Sequence, residues 1–146
     1  MITTISFKIL NIDNEGFHLM IKLHVNNKVA NVIIDTGASK TVFDMTRILK
    51  YVDHSDFHNH DKLSSGLGTN TMKSKLTVIK RMKIGALEVT DYKTVLLDLS
   101  HVNNSYAQIG LKPVDGVLGS DILVAYNAVI DYEKKILKLK YSKIKK

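Results

Sequence analysis

Apolar and polar residues alternate along much of this chain, and that alternation predicts strands. Ile5, Phe7 and Ile9 are separated by Ser6 and Lys8, and Phe17, Leu19, Ile21, Leu23 and Val25 alternate with His18, Met20, Lys22 and His24. A period of two puts one set on a buried face and the other in solvent. The turn signal Asp13-Asn14-Glu15-Gly16 joins the two runs into a predicted hairpin, and Asn26-Asn27 turns the chain into a further strand over 28–35. That strand ends differently. Val32-Ile33-Ile34 is continuously apolar and β-branched, the pattern of a strand buried on both faces.

Farther along, the pattern changes. Val42, Phe43, Met45, Ile48 and Leu49 fit a short amphipathic helix over 41–51, and residues 52–62 are polar. A stretch of small residues at 64–70 precedes a strand-like run over 71–81. Residues 82–89 and 92–99 predict two more strands, around Gly85 and Asp91. A short helix is predicted over 101–108, with Ser100 as its N-cap and Pro113 ending the regular pattern. Lone His101 reads as a capping or surface residue.

Composition narrows the class. Hydrophobic content of 45% with 24% charged residues describes an ordinary globular protein, which disfavours both disorder and a membrane span. A length of 146 residues suits one domain, 1–146. With no cysteine, disulfide and thiolate chemistry are absent. The start of the chain lacks a basic segment followed by a long apolar run, so a cytoplasmic location is the default expectation. A net charge of +7 raises the question of nucleic acid. Its distribution answers against it: Lys134, Lys135, Lys138, Lys140, Lys143, Lys145 and Lys146 crowd the end of the chain, where alternation with apolar residues reads as a solvated strand face.

The candidate chemistry sits where the doubly buried strand stops. Asp35-Thr36-Gly37-Ala38 follows Ile34, and neither Asp-Thr-Gly nor Asp-Ser-Gly occurs again. The triplet by itself is also an ordinary turn. A second motif changes the balance: Val117-Leu118-Gly119, within a stretch running from Asp115 to Leu123. Together these segments resemble the single-domain retropepsin-like aspartic proteases of the bacterial type, which are similar to the retroviral proteases. The resemblance matches the acid-bearing strand at 33–38, the apolar-apolar-Gly strand at 117–119 with a short helix over 120–124, and a closing hairpin at 126–132 and 136–139.

That resemblance implies a mostly β fold: a retropepsin-like acid protease with closed or partly open barrel-like sheets, a flap hairpin and one or two short helices. It implies an aspartic endopeptidase acting on a peptide or protein substrate. Such chemistry needs two carboxylates around one water, one as base and one as acid, so a single copy implies a homodimer in which two Asp35 meet on a two-fold axis. Thr36 and Gly37 complete the implied catalytic loop, with Gly37 N–H holding the carboxylates coplanar and the Thr36 hydroxyl donating across the interface. Ala38, Gly66, Leu67, Gly68 and Thr69 are the implied substrate contacts, the last four in a flap at 64–70. Val117, Leu118 and Gly119 are the implied buried support. Asp121 is expected to favour the helix start. No metal and no organic cofactor is implied.

Two features compete with this assignment. His54, His58 and His60, with Asp53, Asp56 and Asp61, could ligate a divalent ion, although without a recognised ligand spacing a polar loop is the favoured reading. A module of the same fold that binds peptides without cutting them is the alternative function.

Overall fold

The computed structural model describes residues 1–59 and 74–142. The predicted alternation is visible in β3 (Phe17–Val25), where Leu19, Ile21, Leu23 and Val25 are buried while Lys22 and His24 face solvent. Asn26 and Asn27, with φ of 49° and 72°, form the two-residue turn into β4 (Lys28–Ile34); positive φ at both positions matches the right-handed twist of the paired strands. In β4 the last three residues, Val32, Ile33 and Ile34, are all buried, as the unbroken apolar run requires.

The first predicted strand divides. β1 (Ile2–Ser6) and β2 (Lys8–Asn11) flank Phe7, whose ring is buried and whose N–H donates to Lys135 O at 3.0 Å. Only β2 forms the expected hairpin with β3. β1 instead pairs with β11 (Ile136–Lys140), which also pairs with β10 (Val129–Asp131), giving a three-stranded sheet from the two ends of the chain. Burial of Phe7 makes the break: its side chain enters the core at the corner where the backbone changes sheet.

Residues 41–51 also depart from expectation. They form a strand, β5 (Val42–Asp44), and a 3-10 turn at Arg47–Lys50. Thr41, Phe43 and Asp44 are buried, and the Asp44 carboxylate accepts N–H bonds from Thr46, Arg47 and Leu99 at 3.1, 2.8 and 2.7 Å. That side chain supplies the acceptor a helix would have supplied, which ends the strand and tightens the turn. A second 3-10 turn, His54–Asp56, and β6 (His58–Asn59) follow.

β7 (Lys75–Ile84) and β8 (Leu87–Leu97) form one long hairpin about Gly85, so Asp91 is not a boundary: it takes φ 51° and the pairing continues beyond it in the same register. After β8 come α1 (Ser100–Gln108), β9 (Gly116–Leu118) and α2 (Ser120–Ala125). Leu99 occupies the N-cap position of α1, and the carboxylate of Asp98 accepts the Ser100 N–H at 2.9 Å.

The larger sheet runs β2-β3-β4-β9-β5-β8-β7-β6, and β3 also pairs with β7 through His24 with Lys83 and Val25 with Met82. This pairing closes six strands into a barrel. Leu23, Val25, Phe43, Ile79, Met82, Ile84, Leu96 and Leu118 fill it, and Leu137 and Leu139 add the terminal sheet to the same core. Each such side chain contributes roughly 1.5–3 kcal/mol on burial. Among the described residues no helix is long and apolar enough to cross a membrane.

Candidate active site

Strand order decides what surrounds Asp35. β9 lies between β4 and β5, parallel to the first and antiparallel to the second. The chain from β4 to β5 must therefore pass over the end of β9, and residues 35–41 form that crossing. Val117 and Leu118 pair with Ile33 and Ile34, and Leu118 O accepts the Asp35 N–H at 2.9 Å. Gly37 N–H donates to Asp35 Oδ1 at 2.9 Å, and Ala38 N–H donates to Asp35 O at 3.1 Å. Asp35, Thr36 and Gly37 are exposed, with Ala38 half-buried. The result is a carboxylate open to solvent on a backbone with little freedom.

Gly119 allows this crossing. A Cβ there would lie 2.6 Å from both the carbonyl carbon and oxygen of Lys40 and 2.8 Å from Ala38 O, closer than carbon tolerates. The loop and the start of α2 then join directly, Ser120 N–H donating to Ala38 O at 2.7 Å. Gly116 has a similar role lower on β9, where a Cβ would meet Phe43 and Val42 O at 2.7 Å.

The far end of the crossing is held by side chains. Thr41 is fully buried, and its N–H and hydroxyl both donate to Asp121 Oδ1, at 2.9 and 2.8 Å. The same hydroxyl oxygen accepts from Gly119 N–H at 2.9 Å. Thr94 Oγ1 donates to Thr41 O at 3.1 Å, and the Tyr92 hydroxyl donates to Asp121 Oδ2. Burial, then its bond to Asp121 and that group's charge, pushes the Tyr92 hydroxyl well above the ordinary tyrosine range, so it stays a donor. Asp121 therefore does more than favour a helix start: its carboxylate ties α2 to the crossing loop.

A second carboxylate supports β9 from below. Asp115 is 1% exposed and accepts from Asn31 N–H at 2.8 Å, Arg47 Nε at 2.8 Å and the Tyr51 hydroxyl at 3.2 Å, with Lys50 Nζ at 3.1 Å. These bonds fix the entry of β9 against β4. Burial, then the charge of Asp115, raises the Tyr51 pKa.

A cavity of about 320 Å³ opens beside the exposed acid. Asp35 and Thr36 form part of its wall, and Ile33, Val102, Val114 and Val117 are among its apolar lining. Asp35 is the one acid among the described residues that line it. Tyr106, on α1, is 2% exposed and shares a 2.5 Å hydrogen bond with His18 Nδ1; burial pushes its hydroxyl up to about 12.

The structure thus brings Asp35, Thr36, Gly37 and Ala38 together with Val117, Leu118 and Gly119. The expected flap residues Gly66, Leu67, Gly68 and Thr69 lie outside the described residues, as do His60 and Asp61 of the histidine cluster. Among the described residues no three His, Asp or Glu side chains gather in a way that could hold a metal ion. Sequence reasoning passed over Thr41, Tyr92, Thr94 and the buried Asp115. Thr41 and Asp121 stand 80 positions apart, and no short-range pattern announces such a pair.

Comparison with known proteins agrees with this geometry. Residues 21–122 match the family model described as aspartyl protease. No curated protein matches as a sequence relative. Among solved structures, a retropepsin-like aspartic protease from Rickettsia conorii is similar over 97% of this chain and 91% of its own, with 21% identity and a TM-score of 0.61. The retroviral protease-like domain of Ddi1 from Leishmania major is similar over 86% of this chain and 90% of its own, with 11% identity and a TM-score of 0.58. EIAV protease, solved with the inhibitor HBY-793, is similar over 73% of this chain and 85% of its own, with 20% identity and a TM-score of 0.52. At these identities the likeness is one of fold, and that fold is retropepsin-like.

Proposed function

The chain belongs to the aspartyl protease family, and from that premise we propose that it is an endopeptidase whose working unit is a homodimer of one-domain subunits. The observation that carries this reading is the Asp35 carboxylate: exposed, held by Gly37 N–H, and the one acid on the described wall of its cavity. Peptide hydrolysis by an attacking water needs a base to take the water's proton and an acid to polarise the scissile carbonyl. A second copy related by a two-fold axis supplies the missing group as its own Asp35.

Two carboxylates facing each other at short range do not both ionise readily, so the pair shares one proton. The ionised member accepts a proton from water, and the water oxygen attacks the carbonyl carbon. The protonated member donates to the carbonyl oxygen, giving a neutral tetrahedral diol. On its collapse the C–N bond breaks, the newly protonated carboxyl gives its proton to the leaving amine, and the ionised one takes a proton from a diol hydroxyl, which restores the one-proton pair. Gly37 N–H steadies the carboxylate plane, the Thr36 hydroxyl spans the interface, and Ala38 borders the substrate. The cavity beside Asp35 accepts an apolar side chain of an extended peptide, which binds by strand addition.

Dilution and subunit mixing test this. Specific activity on a peptide library falls as the protein is diluted through dimer dissociation measured by sedimentation. Adding excess Asp35→Asn protein to wild type suppresses turnover, because mixed dimers hold one acid in place of two. A rate independent of concentration from a demonstrated monomer contradicts the proposal. Binding of peptides without cleavage at any pH points instead to a binding module on the same fold.

A further inference from the structure

The crossing loop is anchored twice, and the two anchors differ in kind. At its start, Asp35 N–H bonds to Leu118 O in continuation of the β4–β9 ladder. At its end, Thr41 hangs from a carboxylate. Every hydrogen-bonding atom of Thr41 is engaged: N–H and Oγ1–H with Asp121 Oδ1, Oγ1 as acceptor from Gly119 N–H, and O as acceptor from Thr94 Oγ1. Two donors on one oxygen restrain a carboxylate from one side, and its plane is fixed from both sides only when the other oxygen is also held. The Tyr92 hydroxyl holds it, donating to Asp121 Oδ2 from β8, 29 residues away in sequence.

We propose that Tyr92 is a positioning residue for the Asp35 loop, acting through Asp121 and Thr41 at one remove from any reacting atom. This rests on the proteolytic reading only for its kinetic consequence; the mechanical part stands apart from it. The chain of contacts is short: Tyr92 fixes the plane of the Asp121 carboxylate, Asp121 fixes Thr41, and Thr41 with Gly119 fixes where residues 38–40 cross β9. Ser120 N–H on Ala38 O carries that position into the loop. A pair of carboxylates meeting across a symmetry axis doubles any displacement of one loop, since both subunits move together. Small displacements of reacting groups cost rate steeply.

β8 is a sensible place for such a residue. It pairs with β7 along most of its length and with β5 at Val42, so it touches both the hairpin and the strand into which the crossing loop runs. Thr94 and Tyr92, two positions apart on one strand, approach Thr41 from its carbonyl side and through Asp121 respectively.

The test compares wild type with Tyr92→Phe, Asp121→Ala, Asp121→Asn and, as a core truncation at the Gly85 end of β7, Ile84→Val. Turnover of a fluorogenic peptide is measured at concentrations where sedimentation shows dimer, and Gly37 and Thr41 amide resonances are followed by nitrogen-15 NMR. Tyr92→Phe is expected to lower kcat about tenfold with KM within about twofold, and Asp121→Ala about a hundredfold. Asp121→Asn recovers most of that loss, because its amide oxygen still accepts from Thr41 and its amide nitrogen can donate to the Tyr92 oxygen. The Gly37 and Thr41 resonances shift in Tyr92→Phe and stay in place in Ile84→Val.

Wild-type kcat together with unmoved Gly37 and Thr41 amides in Tyr92→Phe overturns the proposal. So does an equal loss of kcat in Ile84→Val, which would make the effect general destabilisation. If wild type cleaves nothing, the proteolytic reading fails by itself and the amides decide: shifted resonances sustain the positioning role, and unmoved ones end it.

Discussion

Asp35 and Asp115 stand at opposite ends of the same pair of parallel strands, one just past the end of β4 and the other just before the start of β9. Their surroundings could hardly differ more. Asp115 is buried and takes three hydrogen bonds, from Asn31, Arg47 and Tyr51, beside the Lys50 ammonium. Asp35 is exposed and is held by the Gly37 amide. A carboxylate whose lone pairs are filled by fixed donors is committed to structure. One that is rigid but open keeps its oxygens for another molecule. The strands are shared, so the buried acid sets the frame on which the open one is presented.

The comparison breaks first if Asp35→Asn behaves as a structural variant. That substitution is expected to cut peptide turnover roughly a thousandfold or more, while urea melts stay within about 0.5 kcal/mol of wild type. Asp115→Ala should do the reverse. It takes the acceptor from the Asn31 amide, the longer of two acceptors from the Tyr51 hydroxyl, which keeps Val29 O at 2.8 Å, and the counter-charge from the part-exposed Arg47 and Lys50, a loss of about 1–3 kcal/mol. A melt displaced by much less would show that water or rearranged side chains replace Asp115.

Gly119→Ala sharpens the comparison by disturbing the loop with no change of charge. The new methyl must displace the Lys40 carbonyl, at a cost of about 1–3 kcal/mol, with activity falling further than stability explains. A wild-type melt and rate together would mean that the crossing loop yields freely. The smallest effect concerns a third acid. Asp98 is exposed like Asp35, yet its pKa is lowered from 3.8 by the backbone and side-chain bonds from Ser100. A depressed pKa contributes stability that is present above 3.8 and is lost as pH falls through the folded value. Amide protection in α1 should therefore weaken in acid in wild type and change less in Asp98→Asn. Identical profiles would remove the carboxylate from the account of the cap.

Much of the frame was legible in the chain. Alternation located β3, the unbroken Val32-Ile33-Ile34 run located the strand under the acid, and the paired asparagines located their turn. Of the two glycine motifs, the second marks a backbone approach that a side chain at Gly119 would forbid, whereas Gly37 matters through its N–H on Asp35 Oδ1. Helical spacing misled at 41–51, where Phe43 and Asp44 face a core and a turn made by distant segments. The continuous reading of residues 5–9 failed because burial of Phe7 divides the strand between two sheets. Thr41 and Tyr92 were invisible for another reason, and Asp121 was legible only as a helix-start acid: each is an ordinary residue locally, and only tertiary folding makes them one network.

The insertion of β9 between β4 and β5 also sets an order of events in folding. Residue 33 finds its partner at residue 117, and pairing over such a separation is slow because the loop must close before any contact rewards it. A nascent chain emerging from the ribosome can complete the β3–β4 hairpin early, yet its Asp35 segment has no strand to cross until 116–118 arrive. The acid therefore acquires its geometry late in synthesis, once residues 116–118 can pair with the strand that carries it.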